Sequence, residues 1–257
     1  MDLGSLLILA AAGALASPIG GALAVWKRPT TLGLSIAVGF AAGALLGAFA
    51  FEMLPQAVEV ASLPTAVAGF SLGFAFVYAL DLFVHRGASA GEKASQRDRV
   101  LTLRRRRHAR GDEVTVLAGG TSAEELIEGL TIGVSAATDP SLGMIVGLAI
   151  VIDNLSESMS IGDLVREKGG DHQARRILGW TSLIGVALFS SAMAGWFLLR
   201  DLAPATLGLL LAAGAGAMFY LSATELVPEA ESHQYQQSSA IAMAAGLLVI
   251  FTLSNLS

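Results

Sequence analysis

The sequence predicts an all-α integral membrane protein with eight transmembrane helices. Of its 257 residues 54% are hydrophobic and only 14% are charged, whereas an ordinary soluble domain carries about 25% charged residues. The mean hydropathy is +0.64. Because water cannot satisfy backbone groups in hydrocarbon, the long apolar runs without period-two alternation favour helices over strands. The chain has no cysteine, which excludes disulfides and thiolate metal sites.

Counting about 20 apolar residues per span locates the predicted helices. They lie near 3–25, 32–54, 63–84, 114–136, 141–164, 174–199, 203–228 and 237–256. We expect the first to be a retained span, because it lacks the basic start of a signal peptide. The charged, Gly/Ser-rich segment after the third span predicts a solvated loop. The chain thus divides into helices one to three (1–85), a basic loop (86–113), helices four and five (114–165) and helices six to eight (166–257).

The basic residues indicate the orientation of these spans. If eight spans alternate sides, 15 of the 16 Lys and Arg residues fall in loops on one side, and Arg200 alone falls on the other. By the positive-inside rule those loops are cytoplasmic, which predicts a cytoplasmic-membrane protein with both termini outside and the 86–113 loop inside. The four arginines at 104–107 are interpreted as part of this signal rather than as a lipid or nucleic-acid patch. No nucleic-acid partner is expected.

Two segments of the sequence repeat each other at an offset of 29 residues. EELIEGLTIG begins at Glu124 and DNLSESMSIG begins at Asp153, and acidic positions and a closing Ile-Gly recur in phase. A weaker pair, FEMLPQA around Glu52 and TELVPEA around Glu225, lies on the second and seventh predicted spans. The members of each pair would run in opposite directions through the membrane. Inverted repeats of this kind are a common architecture of secondary transporters.

The fourth and fifth predicted spans carry five carboxyl groups on two helix faces. Glu124, Glu125 and Glu128 share one arc of the fourth helix, as Asp153, Asn154 and Glu157 do on the fifth. An isolated charge at mid-membrane costs at least ~2.5–3.5 kcal/mol, so five ionised acids would cost roughly 12–18 kcal/mol. These two spans contain no Lys or Arg. Protonation, water in a cavity or a bound cation must therefore offset the cost.

Hydrogen bonding between helices is the alternative role for these polar residues. It is the preferred interpretation for the neutral hydroxyls of Ser156, Ser160, Thr131 and Ser135, whereas a cation site is preferred for the carboxylates. Glu52 and Glu225 each stand three residues before a proline near a span end, and whether either touches the cation path is left open. The histidines lie at or beyond span ends and are interpreted as solvated loop residues. They are His85, His108, His172 and His233.

These features resemble the Zrt/Irt-like, or ZIP, family of metal transporters, and the resemblance covers essentially the whole chain. AEELIEGLTIG followed by AIVIDNLSESMSIG resembles the family's paired metal motifs on the fourth and fifth helices. The resemblance implies eight spans in a 3+2+3 arrangement and a one- or two-metal centre at mid-membrane. It also implies an elevator-like or rocking motion that gives alternating access. The implied ligands are Glu124, Glu125, Glu128, Asp153, Asn154 and Glu157, with Glu52 and Glu225 as further candidates.

The sequence departs from the family motifs in ways that bear on the substrate. Glu124 and Asp153 stand where histidine is usual, Ile127 and Ser156 where proline is usual, and Ser158 where glycine is usual. Imidazole favours Zn²⁺, whereas an all-oxygen site suits harder ions such as Mn²⁺, although Zn²⁺ accepts carboxylates too. The expected cargo is a divalent cation, Zn²⁺ by family resemblance or else Mn²⁺, Fe²⁺ or Cd²⁺. No cofactor is expected.

Two other function classes stand beside the transporter. An intramembrane metalloenzyme would need a carboxylate-bridged metal pair, but the chain has no HExxH motif and no apparent nucleophile–base pair, so no enzymatic activity is expected. A membrane metal sensor, or a relative that binds its ion without moving it, is consistent with the missing prolines and with a sixth span that lacks an acid. Gly-rich faces such as GFAAGALLGAFA would serve a homodimer or packing within one chain.

Overall fold

The structure is a computed structural model that describes residues 2–84, 113–169, 171–231 and 235–256, and for residues 83, 84, 113–123 and 168 the backbone alone. The described residues are helical and contain no strand. The described helices are α1 (Leu3–Trp26), α2 (Thr31–Gly47), α3 (Leu54–Val60), α4 (Leu63–Val84), α5 (Glu113–Thr138), α6 (Pro140–Lys168), α7 (Gln173–Leu199), α8 (Pro204–Leu221), α9 (Val227–Glu231) and α10 (Gln236–Ser254). Short π-helical turns at Ala48–Met53 and Ser222–Leu226 join α2 to α3 and α8 to α9.

The prediction of an all-α membrane protein is confirmed. Within the described ranges, seven helical rods are long and apolar enough to cross a membrane. These rods are Leu3–Trp26, Thr31–Val60, Leu63–Leu82, Pro140–Glu167, Gln173–Leu199, Pro204–Glu231 and Gln236–Ser254. The helix α5, which carries the three acids of the predicted fourth span, is not among them. The predicted loop 86–113 lies outside the described residues except for Glu113, which begins α5.

The second and seventh rods extend beyond the predicted spans because a π turn before a proline lets each helix continue. Pro55 and Pro228 have no N–H, and a proline ring crowds the carbonyl four residues earlier. Before each of them the helix widens, and the residue preceding the proline donates its N–H to the carbonyl five residues back. The two bonds run from Leu54 to Phe49 and from Val227 to Ser222. Glu52 and Glu225 occupy the same position in the two π turns, so the weaker sequence repeat has matching backbone geometry.

A short capped turn reverses the chain between α5 and α6. Oδ1 of Asp139 accepts the backbone N–H of Ser141 at 2.8 Å and that of Leu142 at 3.1 Å, and Pro140 occupies the first helical position, where no N–H is needed. The Ser141 hydroxyl also donates to this carboxylate and is the main cause of the lowered pKa of Asp139. The turn brings α6 back antiparallel to α5.

The helices pack into two groups. In the α5–α6 group, α1 and α5 each pack on α6 and α7. In the α2–α8 group, α2 packs on α10 and α4 packs on α8, while α3 and α9 join the two pairs. Contacts between the groups run mainly from α6 to α2 and from α5 to α8. The interface of α5 with α6 therefore lies beside the boundary between the groups.

Glycines make the packing within the α2–α8 group very close. Each pair uses two glycines four residues apart, whose missing side chains let the backbones touch. They are Gly39 and Gly43 on α2, against α10, and Gly69 and Gly73 on α4, against α8. The two helix pairs of this group are thus built alike.

Substituting Gly43 tests this packing. A Cβ at Gly43 would overlap the backbone carbonyl of Met243, so we expect Gly43→Val to destabilise the protein by at least ~1–3 kcal/mol, the usual cost of overpacking. The thermal midpoint in detergent should fall by several degrees. Gly179→Val is the matched control, because a Cβ there meets nothing within 4 Å. Equal midpoints for the two variants would contradict the packing.

Candidate metal centre

The polar faces of α5 and α6 meet in the middle of the helix bundle. The two helices are antiparallel neighbours, and their acidic segments lie at corresponding heights because the connecting turn at Asp139 is short. The structure thus brings together the two repeated segments of the sequence. The predicted ligands on these faces are Glu124, Glu125 and Glu128 of α5 and Asp153, Asn154 and Glu157 of α6.

Four of these six side chains are buried, and the other two are half-buried. The four are Glu125, Glu128, Asp153 and Asn154, with 1%, 6%, 5% and 0% of their surface exposed. Within the described residues, one carboxylate oxygen of Glu125, of Glu128 and of Asp153 has no hydrogen-bond partner. Buried polar atoms in proteins are usually paired. Unpaired buried oxygens are available as ligands for a cation.

The carboxylates of the cluster repel one another. Glu128 interacts with Glu125 most strongly, then with Asp153 and Glu157. Glu128 and Asp153 are close neighbours in the cluster. Like charges at short range in a poorly hydrated site repel strongly, so a shared proton or a cation would stabilise the pair. The arrangement is one that a dication or protons can stabilise.

Acids near the second π turn join this cluster. Among the acidic neighbours of Glu124, Glu225 exerts the strongest repulsion, and Glu229 acts on Asp153. The sequence suggested Glu225 as a further candidate, and the structure brings it within electrostatic range of α5. Glu229 was missed because the predicted seventh span ended at 228, whereas the helical rod continues to Glu231.

Glu52 occupies the equivalent position in the first π turn. This turn packs against α6, and Glu52 is half-buried there. Its Oε1 has no hydrogen-bond partner in the part of the chain that the structure describes. Glu52 and Glu225 therefore approach the cluster helices from two rods of the α2–α8 group, one beside α6 and the other beside α5.

The smaller polar residues do not make, among the described residues, the hydrogen bonds between helices that the sequence analysis expected of them. The Thr131 hydroxyl donates to the carbonyl of Ile127 at 2.8 Å, and the Ser156 hydroxyl donates to that of Asp153 at 2.8 Å. Ser135 and Ser160 are also present, and the hydroxyl of each is buried without a partner among the described residues. His172 is exposed just before α7, and the other three histidines lie outside the described ranges.

Two buried polar contacts were not predicted. The hydroxyl of Ser17 in α1 donates to Oδ1 of Asn154 at 3.3 Å. Tyr220 of α8 donates its hydroxyl to Oδ2 of Asp81 in α4 at 2.7 Å. Asp81 stands inside the predicted third span, so the rule that singled out the other membrane acids would have found it. Ser17 gave no signal, because a serine in a membrane helix costs little.

The donor set of the cluster matches a divalent cation. Carboxylate and amide oxygens bind Mg²⁺, Mn²⁺ and related ions, and Zn²⁺ also accepts carboxylates. Among the side chains that the structure describes, no three His, Asp or Glu residues converge as tightly as the ligands of a metal ion do. The acids form an open cluster along the α5–α6 interface.

Three known proteins that are similar to this chain share one name, zinc transporter ZupT. No family model matches the chain. The chain is 31% identical over 247 residues to the zinc transporter ZupT of Corynebacterium glutamicum, covering 92% of each protein. It is 28% identical over 249 residues to the zinc transporter ZupT of Escherichia fergusonii, covering 95% of this chain and 93% of the relative. With the zinc transporter ZupT of Chlorobium phaeovibrioides it shares 28% identity over 265 residues, 97% and 96% of the two chains.

Proposed function

This chain belongs to the ZIP family and is a divalent metal transporter, and we propose that its cation crosses the membrane at the acid cluster between α5 and α6. One observation carries the proposal: buried carboxylates on membrane helices repel one another and keep oxygens without hydrogen-bond partners among the described residues. Such oxygens are ligands that a dication would neutralise. The six ligands of the proposal are Glu124, Glu125, Glu128, Asp153, Asn154 and Glu157, with Glu225 beside them.

Zn²⁺ is the first candidate for the cargo, because the relatives are zinc transporters. The ligands, however, are all oxygens, and the acids Glu124 and Asp153 replace the histidines usual in the family. That donor set also supports Mn²⁺, Fe²⁺ and Cd²⁺ as substrates. One or two ions are proposed to bind at once. The negative charge of five carboxylates exceeds the charge of one dication, so protons or a second ion must balance the remainder.

The topology of the proposal has eight spans, with α5 as the fourth. This helix packs against α6, α7 and α8, and its acids Glu125 and Glu128 are buried, which supports a span enclosed by protein. Arg28 pairs with Asp163 at 2.8 Å, and Arg166 donates to the carbonyl of Val25, so Arg28 and Arg166 lie at the same end of the bundle. This end is proposed to be cytoplasmic, with both chain termini outside. The 3+2+3 arrangement, the four-part division of the chain, the cytoplasmic-membrane location and a homodimer remain predictions.

Alternating access is proposed to arise from movement between the two helix groups. The ligands belong to the α5–α6 group, whereas Glu52 and Glu225 belong to the α2–α8 group and run in oppositely directed rods. In this structure the cluster acid Glu124 is repelled most by Glu225. Movement toward the other side of the membrane would bring the cluster nearer Glu52. Each acid would then serve the ion on one side.

Transport is tested by uptake into proteoliposomes. We expect the wild-type protein to take up one or more of Zn²⁺, Mn²⁺, Fe²⁺, Cd²⁺ and Mg²⁺, and we expect Glu128→Gln combined with Glu157→Gln to reduce the initial rate at least about tenfold, because two charged ligands are lost. Glu59→Gln is the control, since this exposed acid lies on α3 away from the cluster. Binding without wild-type flux of any ion would favour the sensor.

Proton release on metal binding tests the charge balance. Metal ligands must be deprotonated, so binding should release protons from the cluster, and the apparent affinity should rise as the pH is raised from about 5 to 8. A pH indicator in weakly buffered detergent solution measures the release when Zn²⁺ or Mn²⁺ is added. The Glu128→Gln, Glu157→Gln variant should release fewer protons. An affinity that does not change over this pH range would contradict protonated acids.

A cross-link between the two groups tests the movement. The chain has no cysteine, and a Cβ at Gly214 of α8 would lie 2.9 Å from Oγ1 of Thr131 in α5. We expect Thr131→Cys with Gly214→Cys to form a disulfide on oxidation and to lose uptake until a reductant is added. The control pair, Gly21→Cys with Thr181→Cys, joins α1 to α7 within the α5–α6 group. A Cβ at Gly21 would lie 3.1 Å from Cβ of Thr181. Its disulfide should leave uptake intact, and uptake through the oxidised 131–214 pair would contradict the movement.

A further inference from the structure

Ser17 lies where α1 approaches α6 and α7 most closely. Pro18 follows it inside the helix and has no N–H, so the carbonyl of Ala14 lacks its usual helical partner. Gly185 of α7 packs directly against that carbonyl, and Gly20 packs against the backbone of α6 on the other side. Ser17 is fully buried between these contacts. Its position is therefore fixed by backbone packing on two sides.

The hydroxyl of Ser17 bonds to a neighbouring helix. The hydroxyls of Thr131 and Thr181 donate to the carbonyl four residues earlier in their own helices, which is the common arrangement. That of Ser17 instead donates to Oδ1 of Asn154 at 3.3 Å. The same amide interacts with the carboxylate of Glu125, although Nδ2 does not reach it in full hydrogen-bond geometry. The amide of Asn154 thus spans the distance between Ser17 and the acid cluster.

We propose that Ser17 is the positioning residue that lets Asn154 alternate between donating to the acid cluster and ligating the transported cation. The inference rests on the proposed function, in which Asn154 is a ligand. In the orientation that this structure shows, Oδ1 accepts from Ser17 and Nδ2 lies on the side of Glu125. To bind a cation the amide must present its oxygen to the cluster, which turns Nδ2 toward Ser17.

A hydroxyl is the group suited to this position. It donates one hydrogen bond and accepts two, so Ser17 can pair with Oδ1 in the first orientation and with Nδ2 in the second. An alanine would pair with neither and would leave one end of a buried amide unsatisfied in both. The oxygen of Asn154 would then be presented less reliably to the cation. Outer-shell partners of metal ligands typically affect metal affinity 10–100-fold.

The inference is tested by Ser17→Ala in proteoliposomes that take up Zn²⁺ or Mn²⁺. We expect KM to rise about 10–100-fold while the maximal rate is unchanged, because Ser17 acts on binding and not on the movement of the helices. Ser17→Thr, which keeps the hydroxyl, should restore KM. Ser158→Ala is the matched control, because Ser158 is equally buried, faces Gly20 of α1 and has a hydroxyl without a partner among the described residues. A wild-type KM in Ser17→Ala overturns the inference.

A double-mutant cycle separates positioning from packing. The dissociation constant for Zn²⁺ or Mn²⁺ is measured by calorimetry on purified protein, with and without Asn154→Ala. Ser17→Ala should weaken binding in the wild-type background and change nothing in the Asn154→Ala background. An equal loss in both backgrounds would assign Ser17 a packing role and overturn the inference.

Misfolding of Ser17→Ala and failure of the proposed function can each be told apart from failure of the inference. Should Ser17→Ala not yield folded protein, Ser17→Cys retains the volume and weakens the hydrogen bond, so an intermediate KM is expected and a wild-type KM overturns the inference. The proposed function fails separately, when wild-type protein carries no cation or when the Glu128→Gln, Glu157→Gln variant transports normally. Normal transport by wild type together with a normal KM for Ser17→Ala refutes the role of Ser17 alone.

Discussion

The five cluster acids, Glu124, Glu125, Glu128, Asp153 and Glu157, carry negative charge into a membrane bundle without a basic residue beside them in sequence. Ionised carboxylates in hydrocarbon are costly, and this constraint governs how α5 is placed. With three acids in its middle, α5 is not among the described helices that are apolar enough to cross a membrane on their own, and it packs against α6, α7 and α8. Enclosure by protein replaces contact with lipid. The same enclosure brings its acids to those of α6.

Glycines also determine the kind of contact between helices. Within a group the backbones touch at glycines, whereas between the groups the helices meet through side chains. Within the α5–α6 group, Gly129 and Gly133 of α5 lie against the backbone of α7, and Gly20 of α1 lies against that of α6. Across the boundary, Gly214 of α8 meets the side chain of Thr131 of α5. Backbone contacts of the first kind interlock, because any shift brings side chains into collision. Side-chain contacts of the second kind permit sliding more readily.

The sequence predicted the parts of this arrangement that depend on composition and period. Among the described residues, hydropathy located the seven rods that are apolar enough to cross a membrane, and the 29-residue repeat singled out the acids of α5 and α6, because both signals are local. The π turns were not predicted, since Pro55 and Pro228 were read as ends of spans, although a widened turn lets the helix continue through them. Glu229 was missed for the same reason. Ser17 was missed because its importance comes from Asn154, 137 positions away.

The two π turns give the inverted repeat a physical meaning beyond sequence similarity. Each places an acid three residues before a proline, at a point where the widened helix alters the direction of the side chains relative to a regular α-helix. The turn bearing Glu52 packs on α6, and Glu225 acts on Glu124 of α5. The inverted repeat pairs α5 with α6 and the second rod with the seventh. The contact of the Glu52 turn with α6 is therefore the counterpart of the contact of Glu225 with α5. In the proposed mechanism, a cluster between two such equivalent acids has two related positions, which is the condition that alternating access requires.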